Sequence, residues 1–355
     1  MAASDWPELA LAEAQETMDA LHLWTQIVGK VRLELEPMVN QWWQVPLYVS
    51  ARGLTTSLMH AGGHGLEMEF DFVAHRLEVR STEGATRHVG LGPGSVADFY
   101  AATMAALAEL GADVRIYPRP VEMAEDVPFP DDTAPRPYDA HAVHRFWLAL
   151  VQSERVMRLF RARFQGKVSP VHFFWGAGDL AVTRFSGRTA PRHRGGVPNC
   201  PDWVQQMAYS HEVSSCGYWP GGSDEGTFYA YAYPEPAGFA DRPVDPDAVS
   251  YDRQLGEFVL PYAEVRKATD PDAALLSFFQ STYEAAADLA GWDRAAPPRR
   301  RAELSRLGAA DGVQPRGEQL RLLARRIRRG HVLCVRLPRA SRLRRPAGRS
   351  GRRFL

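Results

Sequence analysis

The sequence predicts an α+β fold of two pseudo-repeated halves, each a helix, about four mostly antiparallel strands and a second helix, followed by a disordered Arg-rich tail. Three observations lead there. The order helix, short strands, helix occurs twice, and Gly29-Lys30 and Gly166-Lys167 stand at matching places after the first helix of each half. The strand segments alternate apolar and polar residues, as half-covered antiparallel strands do. The charge also divides near Trp292: residues 294–355 hold 19 Arg, no Lys and three acids, a net of +16, which leaves −16 for residues 1–293 of a formally neutral chain. The apparent neutrality is two opposite parts cancelling.

Taken in order, residues 12–30 place Ala12, Met18, Leu21, Leu23, Ile27 and Val28 near one helical face, without Pro or Gly until Gly29. Val45–Ala51 is short, apolar and β-rich. Leu66–Phe72 puts Leu66, Met68, Phe70 and Phe72 on one face and Glu67, Glu69 and Asp71 on the other. His75–Arg80 and Arg87–Leu91 follow as strands. Ser95 caps a helix that ends at Leu110-Gly111, and Val114–Tyr117 closes the half as a strand. A Pro- and acid-rich linker then leads to a helix over Ala140–Phe164 and strands at Val171–Trp175, Asp179–Phe185, Glu212–Tyr218, Thr227–Tyr233 and Glu257–Leu260. The last helix is Pro271–Leu289, and the insertions near 189–208 and 236–256 belong to the second half alone. Long loops often carry function, so these are the expected rim of a site. The boundaries are 1–120 for the first half, 121–139 for the linker, 140–293 for the second half and 294–355 for the tail.

The tail has one aromatic residue, Phe354, and cannot bury enough apolar area to offset its ordering entropy. Only Gly317–Ile327 has helical spacing. A phosphate-binding arm is the functional reading of the Arg clusters, so a nucleic-acid partner is expected only through the tail. Three Lys against 39 Arg point instead to a GC-rich gene, whose shifted frames yield Arg, Ala, Gly and Pro, and the tail is read as foreign to the fold. In the remainder, Cys200, Cys216 and Cys334 lack CxxC spacing, which predicts a reducing cytoplasm. No apolar run approaches the roughly 20 residues that span a bilayer, so no membrane partner is expected. Oligomeric state is not readable.

Five stretches carry a family resemblance: Leu21–Lys30 (LHLWTQIVGK), Ala51–Thr56 (ARGLTT), Pro170–Arg188 (PVHFFWGAGDLAVTRFSGR), Phe228–Pro236 (FYAYAYPEP) and Ser281–Trp292 (STYEAAADLAGW). Across roughly residues 5–293 the chain resembles a bacterial family classed as a domain of unknown function, number 5996. The resemblance implies a class and no activity, ligand or catalytic residue.

Candidate site residues come from the residue patterns. His172 lies in an aromatic strand, where burial would keep its imidazole neutral; a base, a ligand and a core hydrogen-bonder are its three readings. Ser210-His211-Glu212 precedes a strand, and strand neighbours cannot form a hydrogen-bonded relay, so His211 needs a partner from elsewhere to act as a base. Tyr229, Tyr231 and Tyr233 line one strand face opposite Phe228, Ala230 and Ala232. Three phenols are too polar for a plain core face unless each finds a partner, so they form a pocket wall or pack under a helix. Glu235, between two prolines, stands just beyond. Arg52, Arg184 and Arg188, with Lys30 and Lys167, converge on an anion if the halves meet about a pseudo-two-fold axis; otherwise they pair with Asp71, Asp179, Glu284 or Asp288. Gly62-Gly63 between His60 and His64 makes a hairpin loop rather than a helical ligand pair, and His141 and His144 sit in an acidic, exposed region. No metal is expected, and no motif implies a cofactor: Walker A, GxGxxG, HExxH and GxSxG are all missing.

The favoured function is a binding module that takes a small anionic or aromatic ligand in a cleft between the halves. The alternatives are an enzyme (a hydrolase or transferase) with His211 or His172 as base and Glu235 or Glu212 beside it, and a structural or interaction protein.

Overall fold

A computed structural model of the chain describes residues 6–124, 126–193 and 200–293, all within one compact unit. The first helix, α1 (Gln15–Leu35), is buried almost all round from Leu23 to Arg32. A helix without a wet face lies between two layers, and α1 indeed packs against elements of both halves. It runs past Gly29, where the sequence suggests a stop. Gly29 acts as a notch: a Cβ there would stand 2.2 Å from the Trp175 indole.

The first sheet follows α1. Its strands are β1 (Tyr48–Val49), β2 (Gly53–Thr55), β3 (Met59–Ala61), β4 (His64–Asp71), β5 (Arg76–Ser81) and β6 (Thr86–Gly90), all antiparallel in the order β1-β2-β4-β5-β6, with β3 paired to the start of β4. Gly62-Gly63 forms the β3–β4 turn, with Gly62 at φ 62°. The alternation in β4 holds. Leu66, Met68, Phe70 and Phe72 are fully buried, and Phe99 of α2 (Val96–Glu109) stacks between Trp24 and Phe70. On the opposite face, Glu69 and Glu78 are register partners, and Arg80 reaches both. Ser95 and Asp98 close a capping box at the start of α2. Residues 114–117 form no strand; Val114 and Ile116 are buried, but the segment has no ladder partner.

The second half opens with α3 (Ala140–Arg161). Strands β7 (His172–Phe174), β8 (Asp179–Thr189), β9 (His211–Trp219), β10 (Thr227–Tyr233), β11 (Ser250–Asp252) and β12 (Glu257–Pro261) form an antiparallel sheet ordered β11-β12-β10-β9-β8-β7. Helix α4 (Asp202–Ala208) lies in the 189–208 insertion, β11 lies in the 236–256 insertion, and α5 (Tyr262–Lys267) and α6 (Pro271–Leu289) end the described chain. Six strands replace the expected four in each sheet because the short edge strands carry little alternation to read. Each sheet is flanked in the chain by helices, but β3 lies off the path of the first sheet, β12 rather than β11 pairs with β10 in the second, and α4 and α5 have no counterpart in the first half, so the expected pseudo-repeat is not confirmed.

The sheets meet edge to edge. Leu47 N–H donates to Phe173 O and Phe173 N–H to Leu47 O, both at 2.9 Å, beside the edge strands β1 and β7. Trp175 Nε1 donates to Val45 O at 2.9 Å, and its ring fills the Gly29 notch. His22 Nε2 lies 3.0 and 2.9 Å from the carbonyls of Trp175 and Gly176, and Gln26 Nε2 donates to Val121 O at 2.9 Å. His22, Gln26, Gly29 and Lys30 thus form one helical face that receives the β7–β8 turn and the segment around residue 121.

Gly29→Ala is therefore expected to destabilise the protein by about 2–3 kcal/mol through overpacking against Trp175. Urea denaturation followed by tryptophan fluorescence checks this, with a lowered midpoint and an unchanged slope as the expected result.

Candidate functional site

The two faces of the second sheet have different fates. Phe228, Ala230 and Ala232 of β10, with Leu180, Val182 and Arg184 of β8, face α3 and α6 and are buried. The other face carries the register rows Ala181–Gly217–Tyr229 and Thr183–Ser215–Tyr231. Small residues dominate the rows beside the phenols, so the phenol rings lie over the strands. A Cβ on Gly217 would stand 2.5 Å from Tyr229 Oη. Tyr229 and Tyr231 stack 6.1 Å apart at 16°.

Asp179 and Glu257 bear on these rings, and a third carboxylic acid, Glu122, bears on Asp179. Asp179, which opens β8, accepts the Tyr229 hydroxyl. Glu257, at the start of β12, comes one residue before the Phe258–Ala230 register pair, and its charge bears on Tyr229 and Tyr231. Glu122 comes from the other side of the molecule, at φ 59°, with its carboxylate laid on Gly176, where a Cβ would stand 2.4 Å from Oε1. Tyr209 Oη is 3.2 Å from Tyr231 Oη, and the His193 ring stacks on Tyr209 at 4.5 Å. Lys30 projects from α1 with its ammonium 5.4 and 5.5 Å from the Tyr117 and Trp175 rings. Side chains from both halves thus bound this candidate hollow.

Desolvation dominates its electrostatics. Burial, opposed by the Tyr229 hydrogen bond, raises Asp179 to about 6. Burial and the Asp179 charge raise Glu122 to about 7, with Lys30 opposing. Burial and then Asp179 and Asp252 raise Glu257 to about 7. Lys30 falls to about 8 through burial, with Glu122 opposing, and Tyr209 is pushed up to about 12 by burial. Glu122 is exposed, and Glu257, Tyr229 and Tyr231 are half-buried. Among the described residues, none of the three carboxyls has a cation within ion-pair distance. Titratable groups shifted toward neutrality and gathered in one recess mark a functional-site candidate.

The residues singled out by sequence do not all gather here. Tyr229 and Tyr231 line the hollow. Tyr233 stands at its end, donating to Pro191 O at 3.0 Å with its ring against Tyr209. His172 is on the same sheet face, opposite Ala181, but is sealed beneath Trp43, Tyr48 and Phe174; burial drops its pKa to about 3. Neutral imidazole was expected there, and a fully buried ring has no access to a substrate. His211 Nδ1 lies 3.0 Å from Ser210 Oγ and 3.2 Å from Gln41 Nε2. Ser210 precedes the strand and escapes its alternation, so the adjacent pair does hydrogen-bond. Glu212 faces away, accepting from Ser186 Oγ at 2.9 Å and from Arg188, which leaves the relay incomplete. Glu235 is exposed and accepts from Tyr251 Oη at 2.7 Å, outside the phenol cluster.

The three arginines do not converge. Arg52 pairs with buried Asp71 at 2.7 Å on the first sheet. Arg184, 1% exposed, lies on the helix-facing side, its guanidinium carbon 3.4 Å from the Phe160 ring centroid and 4.2 Å from that of Tyr283; burial lowers its pKa to about 10. It is a cation–π core residue. Arg188 pairs with Glu212 and donates to the carbonyls of Ala290 and Gly291 at the C-terminal end of α6. A cavity of about 210 Å³ lies beside it, lined by Tyr233, Pro234 and Trp292 among others. Among the described residues no group of three or more His, Cys, Asp or Glu side chains is placed to hold a metal ion. The tail lies outside the described residues.

Asp179, Glu257, Tyr209 and Glu122 were missed as site residues. Asp179 had a signal, a carboxylate opening an otherwise apolar strand. Glu122 had none, because its place depends on packing between segments distant in sequence.

The raised carboxyl pKa values set the sign of a pH dependence. A carboxyl with a higher pKa folded than unfolded favours folding at low pH, and that contribution is lost as pH rises through the folded value. For Asp179 the loss falls between about pH 4 and 6, and it amounts to on the order of 2–3 kcal/mol. Asp179→Asn, which still accepts from Tyr229, is expected to match the parent near pH 4 and to exceed it in stability by about 2 kcal/mol at pH 8, as read by urea denaturation at each pH.

No curated protein and no solved structure matches the chain. The profile of a family of unknown function matches residues 6–298, which takes in every element that builds the hollow, and the chain belongs to that family, DUF5996.

Proposed function

We propose that the protein binds a small organic cation with a flat apolar part, an arylalkylamine in its simplest form, in the hollow between the two halves. The observation that carries this reading is the meeting of Asp179, Glu122 and Glu257 with the stacked Tyr229 and Tyr231 in a recess where, among the described residues, no cation lies within ion-pair distance of the acids. An ammonium group would supply the missing counter-charge, and the phenol faces attract a cation and a ring alike. The aromatic part of the sequence expectation is kept. The anionic part loses support because Arg52 and Arg188 are spent on carboxylates and Arg184 on aromatic rings.

Linkage sets the pH response. Acids with pKa values near 6–7 are partly protonated at neutrality, and an entering ammonium drives their protons off. Affinity therefore rises with pH, by roughly tenfold between pH 5.5 and 8 if one proton is released in that range. The test is a thermal-shift comparison of phenethylamine with 3-phenylpropionate at both pH values. The amine should raise Tm, more so at pH 8, and Asp179→Asn should remove the rise. Stabilisation by the carboxylate and not the amine would overturn the reading.

One observation favours a second reading. Lys30 near 8 and Glu122 near 7 flank the same recess, a pairing suited to proton transfer at neutral pH. In this reading they, rather than a histidine, serve as acid and base. Cys200 and Cys216 are free thiols, which supports the proposal of a reducing, cytoplasmic setting. No described helix is long and apolar enough to cross a membrane.

A further inference from the structure

A second zone of unbalanced charge lies at the joint between the sheets, with the opposite sign. Arg32, near the end of α1, is only 7% exposed. Its Nε donates to Gln44 O, but its buried Nη1 meets no acceptor among the described residues. Among the described residues no carboxylate stands within ion-pair distance of it. Glu36, one turn further on, bears on Arg32 only through its field, and its own carboxylate is 3.8 Å from His60 Nδ1. His172 is fully buried, and neither of its ring nitrogens meets a partner among the described residues. The two side chains share a wall: the Tyr48 ring centroid is 5.4 Å from the Arg32 guanidinium carbon and 5.6 Å from the imidazole. Further positive charge surrounds them. Arg161 and Arg32 both bear on His172, and the Lys167 ammonium lies 5.1 Å from the Trp43 ring that also packs on His172. Neither Arg161 nor Lys167 is in an ion pair among the described residues.

A guanidinium keeps its proton and cannot escape burial by neutralising, and a buried charge is tolerated only when paired. Buried N–H donors without acceptors add to the imbalance. Water would satisfy the donors and leave the charge.

We infer that a small monovalent anion of halide size binds at the sheet joint, held by Arg32 Nη1 with an N–H of His172 as second donor. Complete burial of the imidazole excludes larger anions. The site is a structural one: it sits next to the Leu47–Phe173 hydrogen bonds, so an anion there stabilises the union of the two halves. It is independent of the amine reading and uses other residues.

The test measures Tm of the full chain at one sodium concentration in chloride, bromide or gluconate, whose anion is too large to enter. Halide at saturation should raise Tm by a few degrees over gluconate, and Arg32→Met should abolish the difference. Where Arg32→Met does not fold, His172→Phe replaces it, with the same expected loss. Crystals soaked in bromide should give an anomalous peak within hydrogen-bonding reach of Arg32 Nη1. Equal Tm values in the three salts, a halide effect that persists in the variant, or water alone in that position would overturn the inference.

Discussion

The seating of the Trp175 indole in the notch left by Gly29 holds the rest in place. It fixes α1 against the β7–β8 turn with no room for a side chain between them, and the hydrogen bond to Val45 O ties the same ring to the strand edge of the first half. The neighbouring bonds from His22 and Gln26 then set the height of the turn and of the segment around Val121. Asp179 and Glu122 follow from these two placements, one just beyond the turn and the other beside Val121. Lys30 follows from the helix itself, one residue beyond the notch. The placement of Asp179, Glu122 and Lys30 is thus a by-product of a packing joint.

Charge is treated in three ways across the molecule. On the first sheet it is matched locally: Arg80 lies between Glu69 and Glu78, and Arg52 covers Asp71. The arginines stay partly wet while Asp71, Glu69 and Glu78 are buried, so each of these acids depends on its partner. In the hollow, acids are desolvated with no cation in ion-pair distance among the described residues, and respond by holding their protons toward neutrality. At the joint, a guanidinium is desolvated with no carboxylate in ion-pair distance among the described residues, and has no such escape. The functional and structural ligands inferred here are the two charges that would balance those two zones.

The motifs that carry the family resemblance fall largely at these places. The stretch from Leu21 to Lys30 supplies the notch and the rim lysine, Pro170–Arg188 supplies His172, Trp175 and Asp179, and Phe228–Pro236 supplies the phenol row. Much of the fold was therefore legible. Alternation in Leu66–Phe72 and Thr227–Tyr233 revealed which residues face inward, and the Ser95 cap and Gly111 bounded α2. The extension of α1 beyond Gly29 was not, because glycine reads locally as a stop and only Trp175 shows it to be a seat. The arginines misled for a similar reason. Matching positions after strands say nothing of which face of a sheet a side chain joins, and Arg184 went to the core.

By itself, then, the amino-acid order determined the periodicities: which segments are helix or strand, which residues of a strand share a face, and that the basic tail is compositionally separate from residues 1–293. These are properties of neighbours along the chain, set by backbone geometry and side-chain type. Only tertiary packing decided which faces stay open, that Glu122 comes to bear on Asp179, and that Arg32 and His172 lose their water without gaining a counter-charge among the described residues. Desolvation depends on everything within several ångströms in space, and most of that lies far away in sequence.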